Sequence, residues 1–372
     1  MATEVEQSII RMTGHRVFKD HKSSTIVAIS VFPDGYRMVT GSSDKMLRLW
    51  DLRNGVVLKT LEGHRSMVQA VAISRDGKSI ASGGMHGEVI IWDGDTGESL
   101  TQPIKVHSQK ITSLDFSPDG GVVASVSWDK TIELCTRKTD SWGIHGNPIT
   151  PGEKIFCIRY APSGGHLAIA TANDIQIWDP SGSAPVCIAK FRAVDISAWH
   201  VSLAWTPDGT RLFTAGSRAD PVVREWDTST WNQVGSDWCD HADYIRALAV
   251  NPTGTLVASA SLDTQVRIWC ISDRRTIAIF KAVDEVYSVT FSADGKHVLC
   301  GGKDAGITEL TVPVYASLVD TAEGKASDVS FGSLPVPPLF DLTQLEGGFA
   351  NECSRGTVVG QCESLLVIIS LH

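Results

Sequence analysis

Residues 33–51 read PDGYRMVTGSSDKMLRLWD, a tight turn followed by two short apolar segments and a Trp-Asp pair. Gly35 can supply the positive φ that a reversal between two strands requires. The segments after the turn alternate aliphatic or β-branched residues with polar ones, which is the period of a strand. The stretch therefore predicts two antiparallel strands joined by a hairpin at Asp44.

Both ends of this stretch recur along the chain in register. The turn recurs as a triplet ending in Gly that begins at positions 33, 75, 118, 162, 207, 252 and 293. The strand end recurs at positions 50, 92, 135, 178, 226, 269 and 310. Each unit holds about four strand-like runs, and a repeat of this length with four strands is typical of a propeller blade. The sequence therefore predicts an all-β protein, a single seven-bladed β-propeller.

The motifs resemble those of a known family. The Gly63-His64 lead-in, the Pro-Asp-Gly turn and the Trp-Asp strand end are similar to the WD40 repeat, and the resemblance covers residues 15–311. In this family repeat and blade are out of phase, so the resemblance implies that an N-terminal strand, with residues 16–19 as candidate, closes the ring.

These boundaries predict three parts of the chain. We expect an N-terminal extension at residues 1–14, the propeller at 15–311 and a largely irregular C-terminal tail at 312–372. The apolar segment 365–371 has high strand propensity, and we expect it to pack on the propeller or on a partner.

Composition argues against several classes of function. A net charge of -9 disfavours nucleic-acid binding. The longest apolar run, residues 365–369, is far shorter than the roughly 20 residues of a membrane-spanning helix. The eight cysteines include no Cys-x-x-Cys pair, which argues against a zinc site. We predict an intracellular protein, cytoplasmic or nuclear, without metal, cofactor or membrane contact, either monomeric or part of a larger complex.

The resemblance implies that a His, a Ser or Thr, an Asp and a Trp form a buried relay in a blade. The matching residues are His21, Thr40, Asp44 and Trp50 in the first blade and His241, Ser259, Asp263 and Trp269 in the sixth. A Ser-His-Asp set would otherwise suggest nucleophilic catalysis. Because a hydroxyl held in a buried relay cannot reach a substrate, we predict that the protein is not an enzyme. A hydrolase at the channel mouth is the alternative from another class.

Other blades depart from this relay. His86 occupies the Asp position of the second blade, Cys135 the Trp position of the third, and Asp195 the His position of the fifth. The fourth and seventh lack the leading His. We expect these blades to depend more on apolar packing than on polar relays, and the fourth and seventh to be the least regular.

Partners of such propellers usually bind on the face where the innermost strands begin and where hairpins join the second and third strands. The residues that open the innermost strands are Thr25, Met67, Lys110, Lys154, Trp199, Tyr244 and Glu285. The hairpin residues are Ser43, Met85, Trp128, Asn173, Ala219, Leu262 and Lys303. Aromatic residues and Met are typical of protein interfaces, although Trp128 and Trp199 could instead pack between blades. The lysines beside Glu285 favour an acidic or mixed-charge peptide.

One motif suggests a specific role. Trp50-Asp51-Leu52-Arg53 is similar to the box by which some WD-repeat proteins dock on the adaptor of a cullin-RING ubiquitin ligase as substrate receptors. Arg53 would be the docking charge. The favoured hypothesis is a non-catalytic scaffold or adaptor that binds other proteins, with the substrate receptor as the alternative.

Overall fold

A computed structural model describes residues 9–21, 24–139, 141–144, 146–181, 185–192 and 201–313. The expected tail beyond residue 313, with its apolar segment 365–371, lies outside the described residues. In the described ranges the chain forms β-strands joined by turns, and no helix there has the length and apolar character needed to span a bilayer.

The first half of the ring follows two N-terminal strands. These are β1 (Ile10–Arg11) and β2 (Gly14–Lys19). The first blade contains β3 (Ile26–Val31), β4 (Arg37–Ser42), β5 (Leu47–Asp51) and β6 (Val56–Leu61). The second contains β7 (Val68–Ile73), β8 (Ser79–Gly84), β9 (Glu88–Asp93) and β10 (Ile104–Lys105). The third contains β11 (Ile111–Phe116), β12 (Val122–Ser127), β13 (Ile132–Lys138) and β14 (Ser141–Ile144).

The remaining blades complete the ring. The fourth contains β15 (Ile155–Tyr160), β16 (Leu167–Thr171), β17 (Ile175–Asp179) and β18 (Val186–Phe191). The fifth contains β19 (Leu203–Trp205), β20 (Arg211–Ala215) and β21 (Val223–Asp227). The sixth contains β22 (Ile245–Val250), β23 (Leu256–Ser261), β24 (Gln265–Cys270) and β25 (Arg275–Lys281). The seventh contains β26 (Val286–Phe291), β27 (His297–Gly302) and β28 (Gly306–Thr311).

The blades form a closed ring. The innermost strand of each blade contacts that of the next, in the order β3, β7, β11, β15, β19, β22, β26 and back to β3. Side-chain hydroxyls join neighbouring blades, because Ser288 accepts a hydrogen bond from the Ile29 amide at 3.1 Å and Ser202 accepts one from Leu248 at 3.1 Å. The predicted seven-bladed propeller is confirmed.

The N-terminus closes this ring, as predicted. Strand β2 pairs antiparallel with β28 and becomes the outer strand of the seventh blade. Phe18 on β2 is buried against Trp50 of the first blade. A ring closed by both ends of the propeller leaves fewer exposed strand edges than a linear stack would.

Strand β1 was not predicted. It pairs in parallel with β25, which gives the sixth blade a fifth strand. Ile10 and Met12 pack against the apolar core between the sixth and seventh blades. The N-terminal segment thus joins two blades, closing one and extending the other.

The expectation that the fourth and seventh blades would be the least regular is wrong. Both have four strands, whereas the fifth blade has a sheet of three. Its outer position is taken by residues that make only isolated bridges, Trp238 with Val223 and Gln233 with Trp226. Regularity here depends on whether the chain pairs continuously with the outer edge, and the leading His does not decide it.

Candidate protein-binding site

The relay residues of the sixth blade form a buried chain of hydrogen bonds. His241 Nδ1 lies 2.7 Å from an Asp263 carboxylate oxygen, and His241 Nε2 lies 2.7 Å from Ser259 Oγ. Because a carboxylate only accepts, Nδ1 carries the proton and the Ser259 hydroxyl donates to Nε2. The Ser259 oxygen then accepts from Trp269 Nε1 at 2.8 Å. Ser259 has no exposed surface, so its hydroxyl cannot attack a substrate.

The first blade has the same arrangement. His21 lies 2.8 Å from Thr40 Oγ1 and 3.1 Å from Asp44, and Trp50 Nε1 donates to Thr40 at 2.9 Å. Arg48 adds a second donor to Asp44 at 2.7 Å. Burial lowers the pKa of His21, and Arg48 lowers it further. The imidazole is therefore neutral at neutral pH, as its role in this relay requires.

The second and third blades keep more of the relay than expected. His64 bonds Ser82 at 2.7 Å, and Trp92 donates to the same hydroxyl at 2.8 Å. Glu88, two positions after His86, supplies the carboxylate at 3.1 Å from His64 Nδ1. The expectation that this blade depends on apolar packing is wrong, since a longer side chain from the next strand replaces the Asp.

In the third blade the relay lacks only its tryptophan. His107 lies 3.0 Å from Ser125 and 3.2 Å from Asp129. Cys135 fills the tryptophan position and is fully buried. Burial raises the pKa of its thiol to about 12, so it stays protonated.

The fourth blade replaces the relay with a different one. Trp178 Nε1 donates to Gln176 at 3.1 Å, Gln176 Nε2 donates to Asp174 at 2.8 Å, and Thr171 donates to the same carboxylate oxygen at 2.8 Å. The sequence did not predict this relay. In the fifth blade Trp226 donates to Thr214 at 3.0 Å, while Asp195 lies outside the described residues.

The predicted binding residues lie in pairs at one end of the strands. In the first three blades and the last two, the hairpin residue donates its amide to the carbonyl of the residue that opens the innermost strand. The pairs are Ser43 with Thr25, Met85 with Met67, Trp128 with Lys110, Leu262 with Tyr244, and Lys303 with Glu285, at 3.0 to 3.3 Å. In the fourth blade Ala172, instead of Asn173, pairs with Lys154. Trp199 lies outside the described residues, and Ala219 is exposed on the hairpin of the fifth blade.

These pairs surround the mouth of the central channel. A cavity of about 540 Å³ opens there between the first, second, sixth and seventh blades. Of the predicted residues, it is lined by Thr25, Met67, Tyr244, Leu262 and Glu285. Met85 is 47% exposed, and its amide donates a hydrogen bond to Met67 of the cavity lining.

Arg246 and Tyr287 also line the cavity and were not predicted from the sequence. Each follows a predicted residue by two positions, and alternate residues of a strand point to the same side. That period could have identified them. Tyr287 donates a hydrogen bond to Glu285, and the Arg246 guanidinium lies 5.0 Å from the Tyr287 ring centre. Burial and the Glu285 carboxylate raise the pKa of Tyr287 to about 12.

On the other side of the mouth, two lysines lie over one tryptophan. Lys110 Nζ is 3.6 Å and Lys154 Nζ is 4.6 Å from the Trp128 ring centre. Such cation–π contacts are attractive. Burial lowers the pKa of Lys110, and nearby Arg246 and Lys154 lower it further. Lys303 instead forms an ion pair with Asp284 at 3.4 Å. The mouth therefore has Glu285 with Arg246 on one side and the two lysines over Trp128 on the other.

Arg53 lies at the opposite end of the strands, in the turn after β5. Its guanidinium contacts both oxygens of Asp51 at 3.2 and 3.3 Å and lies 4.5 Å from the Tyr36 ring centre. The side chain is 67% exposed. Hydrogen bonds from Arg53 hold the pKa of Asp51 below its usual value.

Comparison with known proteins assigns this architecture to a family. The WD domain, G-beta repeat, matches residues 12–51, 55–93, 98–134, 232–270 and 275–307. These matches together cover half of the chain. The chain belongs to the WD-repeat family. The matched ranges fall on the first three and last two blades of this WD-repeat propeller, and residues 135–231 lie between them without a match.

The curated relatives are other WD-repeat proteins at low identity. Pre-mRNA-processing factor 19 of Oryza sativa subsp. japonica is 27% identical over 266 residues, 68% of this chain and 49% of the relative. THO complex subunit 3 of Arabidopsis thaliana is 26% identical over 257 residues, 65% of this chain and 76% of the relative. Denticleless protein homolog of Danio rerio is 26% identical over 288 residues, 66% of this chain and 44% of the relative. The chain spans about half the length of several relatives that it matches.

Proposed function

We propose that this WD-repeat propeller is a non-catalytic scaffold that binds another protein at the mouth of its central channel. The observation that carries the proposal is the pairing of the innermost-strand and hairpin residues, which brings Met67, Tyr244 and Leu262 around one cavity. Large rigid side chains and Met at a concave site are typical of interface hot spots. The family, whose members generally bind other proteins, supports the same function.

The two sides of the mouth define the chemistry of the partner. Glu285 and Tyr287 line one side, while Lys110 and Lys154 lie on the other. A peptide with separated acidic and basic residues would satisfy both sides. We therefore propose a mixed-charge peptide segment as the bound element.

A pull-down with the full chain tests this proposal. The double variant Trp128→Ala/Tyr244→Ala should lose a binder that the wild type retains, because it removes an anchor from each side of the mouth. Leu58→Ala is the matched control, since Leu58 lies on the outer strand β6 and its surface is 52% exposed. Retention of every binder by the double variant, with both variants folded, would exclude this face.

A second candidate function is docking on a cullin-RING ligase adaptor through Arg53. Its exposure at the face opposite the proposed binding mouth favours this alternative, because one propeller could then hold a substrate and the adaptor together. Arg53→Ala should abolish co-purification with the adaptor and leave the fold intact. Asp51 would still accept hydrogen bonds from the residue 53 amide and from Asn54. Continued co-purification would rule the role out.

We propose an intracellular location, in the cytoplasm or the nucleus. Cys187 is an exposed free thiol, and such thiols persist in reducing compartments. Fractionation of cells that express the tagged full chain tests the location. Recovery from the culture medium with Cys187 oxidised would contradict it.

A further inference from the structure

The central channel below the mouth differs in charge from the rest of the chain. It encloses about 160 Å³ and is lined by the innermost strands. Three basic residues line it, namely Lys110, Arg159 and Arg246, and none of the described lining residues is acidic. A chain with a net charge of -9 thus has a basic channel at its centre.

Two of these cations face one another without a counter-ion. Lys110 is on the third blade and Arg246 on the sixth, and both line the channel. Burial lowers the pKa of Lys110, and the positive charge of Arg246 lowers it further. No carboxylate in the described part of the chain lies within ion-pair distance of either group. Glu285 reaches Arg246 only as a longer-range attraction. Both cations contact aromatic rings, Lys110 that of Trp128 and Arg246 that of Tyr287, but neither forms an ion pair with a carboxylate of the described residues. Partly buried charges without a counter-ion are costly, and an anion between them would reduce that cost.

The third cation, Arg159, lies deeper and is held in place. Its Nη1 donates to Ser113 Oγ at 3.0 Å and to the Ile158 carbonyl at 2.7 Å. Asp115 lies close enough to favour its charged form. Arg159 therefore contributes a fixed positive charge, which Asp115 partly balances.

Hydroxyl donors complete the lining. Ser202 and Ser288 accept backbone amides from the neighbouring blades at 3.1 Å. Neither hydroxyl proton has an acceptor among the described residues, and both side chains line the channel. Two hydroxyl protons and two cations without a counter-ion around one cavity are a set of hydrogen-bond donors that an anion could satisfy. Its volume is also sufficient for a small anion, since one water needs roughly 10–15 Å³ of such space.

We propose that the channel is a binding site for an oxyanion of the phosphate class, with Lys110 and Arg246 as its charged ligands. A tetrahedral oxyanion accepts several hydrogen bonds at once, which matches donors that converge from several blades. The site does not depend on the proposed scaffold function, because phosphate can bind with no protein present.

Isothermal titration calorimetry of the full chain with inorganic phosphate, at constant ionic strength set with chloride, tests the site. We expect one saturable site per chain, with affinity roughly tenfold lower in Lys110→Met and in Arg246→Met. Lys110→Arg keeps the charge and should retain binding. Lys78→Met is the matched control, because Lys78 is exposed on the β7–β8 turn at the opposite end of the strands. No saturable binding by the wild type, or equal binding by Lys110→Met, would overturn the proposal.

A separate binding measurement with the same variants identifies the source of the phosphate group. If a phosphoserine peptide binds more tightly than inorganic phosphate and its unphosphorylated form does not bind, the anion belongs to a partner protein. Equal or weaker binding of the peptide assigns it to a free anion. Either result keeps the site, and failure of the pull-down above would leave it unaffected.

Discussion

The two arcs of the ring build the same blade with different polar contacts. In the arc that matches the family repeat, each hairpin between the second and third strands has one residue in the left-handed conformation. These are Lys45, Gly87, Lys130, Thr264 and Ala305, with φ between 58° and 80°. The described hairpins of the fourth and fifth blades, residues 171–175 and 215–223, have none.

The difference extends to the relays. The first, second, third and sixth blades, all in the matched arc, use His with Ser or Thr. The fourth blade uses Thr171, Asp174 and Gln176 instead. In both arcs the indole N–H of a tryptophan finds an acceptor, in Ser259 for Trp269 and in Gln176 for Trp178. The comparison teaches that where a tryptophan occupies this position its N–H is satisfied, and that the identity of the acceptor can change. The fold also accepts Cys135 and Leu310 at this position, in the third and seventh blades.

The largest effect is expected in the matched arc. Ser259→Ala leaves Trp269 Nε1 without its acceptor and His241 Nε2 without its donor, both in a buried site. We expect the free energy of unfolding to fall by about 2–4 kcal/mol. Chemical denaturation followed by tryptophan fluorescence measures it. A loss no larger than that of an exposed serine variant such as Ser229→Ala would show that the relay contributes little.

The second prediction concerns pH and tests the relay histidines of the matched arc. Burial lowers the pKa of His21 and of His107 below the ordinary value of 6.5. Below 6.5 the unfolded chain therefore binds protons that the folded chain does not, so stability falls as the pH decreases through this range. Each histidine contributes a slope of at most about 1.4 kcal/mol per pH unit.

Denaturation of the double variant His21→Gln/His107→Gln over the same range measures this contribution. Its slope should be shallower than that of the wild type, whatever its stability at neutral pH. The wild type and the double variant share all their other titratable groups, so the difference between the two slopes comes from the substituted imidazoles. Identical slopes would mean that neither imidazole is kept neutral by the fold.

The third prediction concerns the fourth blade. Gln176→Met keeps the volume but removes the acceptor of Trp178 and one donor to Asp174. Asp174 retains Thr171 at 2.8 Å and Lys190 at 2.8 Å, and Trp178 is only half-buried. We expect a loss of about 1 kcal/mol, smaller than for Ser259→Ala. A loss as large as in the sixth blade would show that the two relays are equally important.

The sequence predicted the architecture because turns and strand ends repeat. A triplet such as Pro33-Asp34-Gly35 is needed wherever two strands reverse, so each blade carries a copy. Turns and strand ends depend on local chain geometry, which a repeat records directly. The resemblance to the WD40 repeat, and not the period itself, implied the closing strand β2 and the face on which the hairpin residues lie.

The features that the sequence did not predict depend on which side chains come close together in the folded chain. Glu88 supplies the carboxylate that the second blade lacks at position 86, because its longer side chain reaches His64. Gln176 accepts the indole N–H of Trp178 in a blade without the leading His. Strand β1 pairs with β25, which lies far away in sequence. Arg246 and Lys110 face each other only once the ring is closed. No period within one repeat encodes a contact across the channel.

The smallest effect is expected at the hairpin between the second and third strands of the sixth blade. Thr264, in the sixth blade, has φ of 70°, a conformation that is unfavourable for a β-branched residue by roughly 1–2 kcal/mol. The equivalent position in the second blade is already Gly87. Thr264→Gly removes the strain, and the greater freedom of Gly in the unfolded chain offsets part of the gain. We expect a net stabilisation of about 0.5–1 kcal/mol, measured as a higher denaturation midpoint.

Asn173→Gly in the fourth blade is the matched control, because Asn173 lies in a hairpin without positive φ. There Gly relieves no strain and only increases the entropy lost on folding, so we expect a loss of about 0.5–1 kcal/mol. The two substitutions introduce the same residue at corresponding hairpins and should shift the midpoint in opposite directions. Shifts of the same sign would mean that hairpin conformation does not distinguish the arcs, and the relays alone would then account for the difference between them.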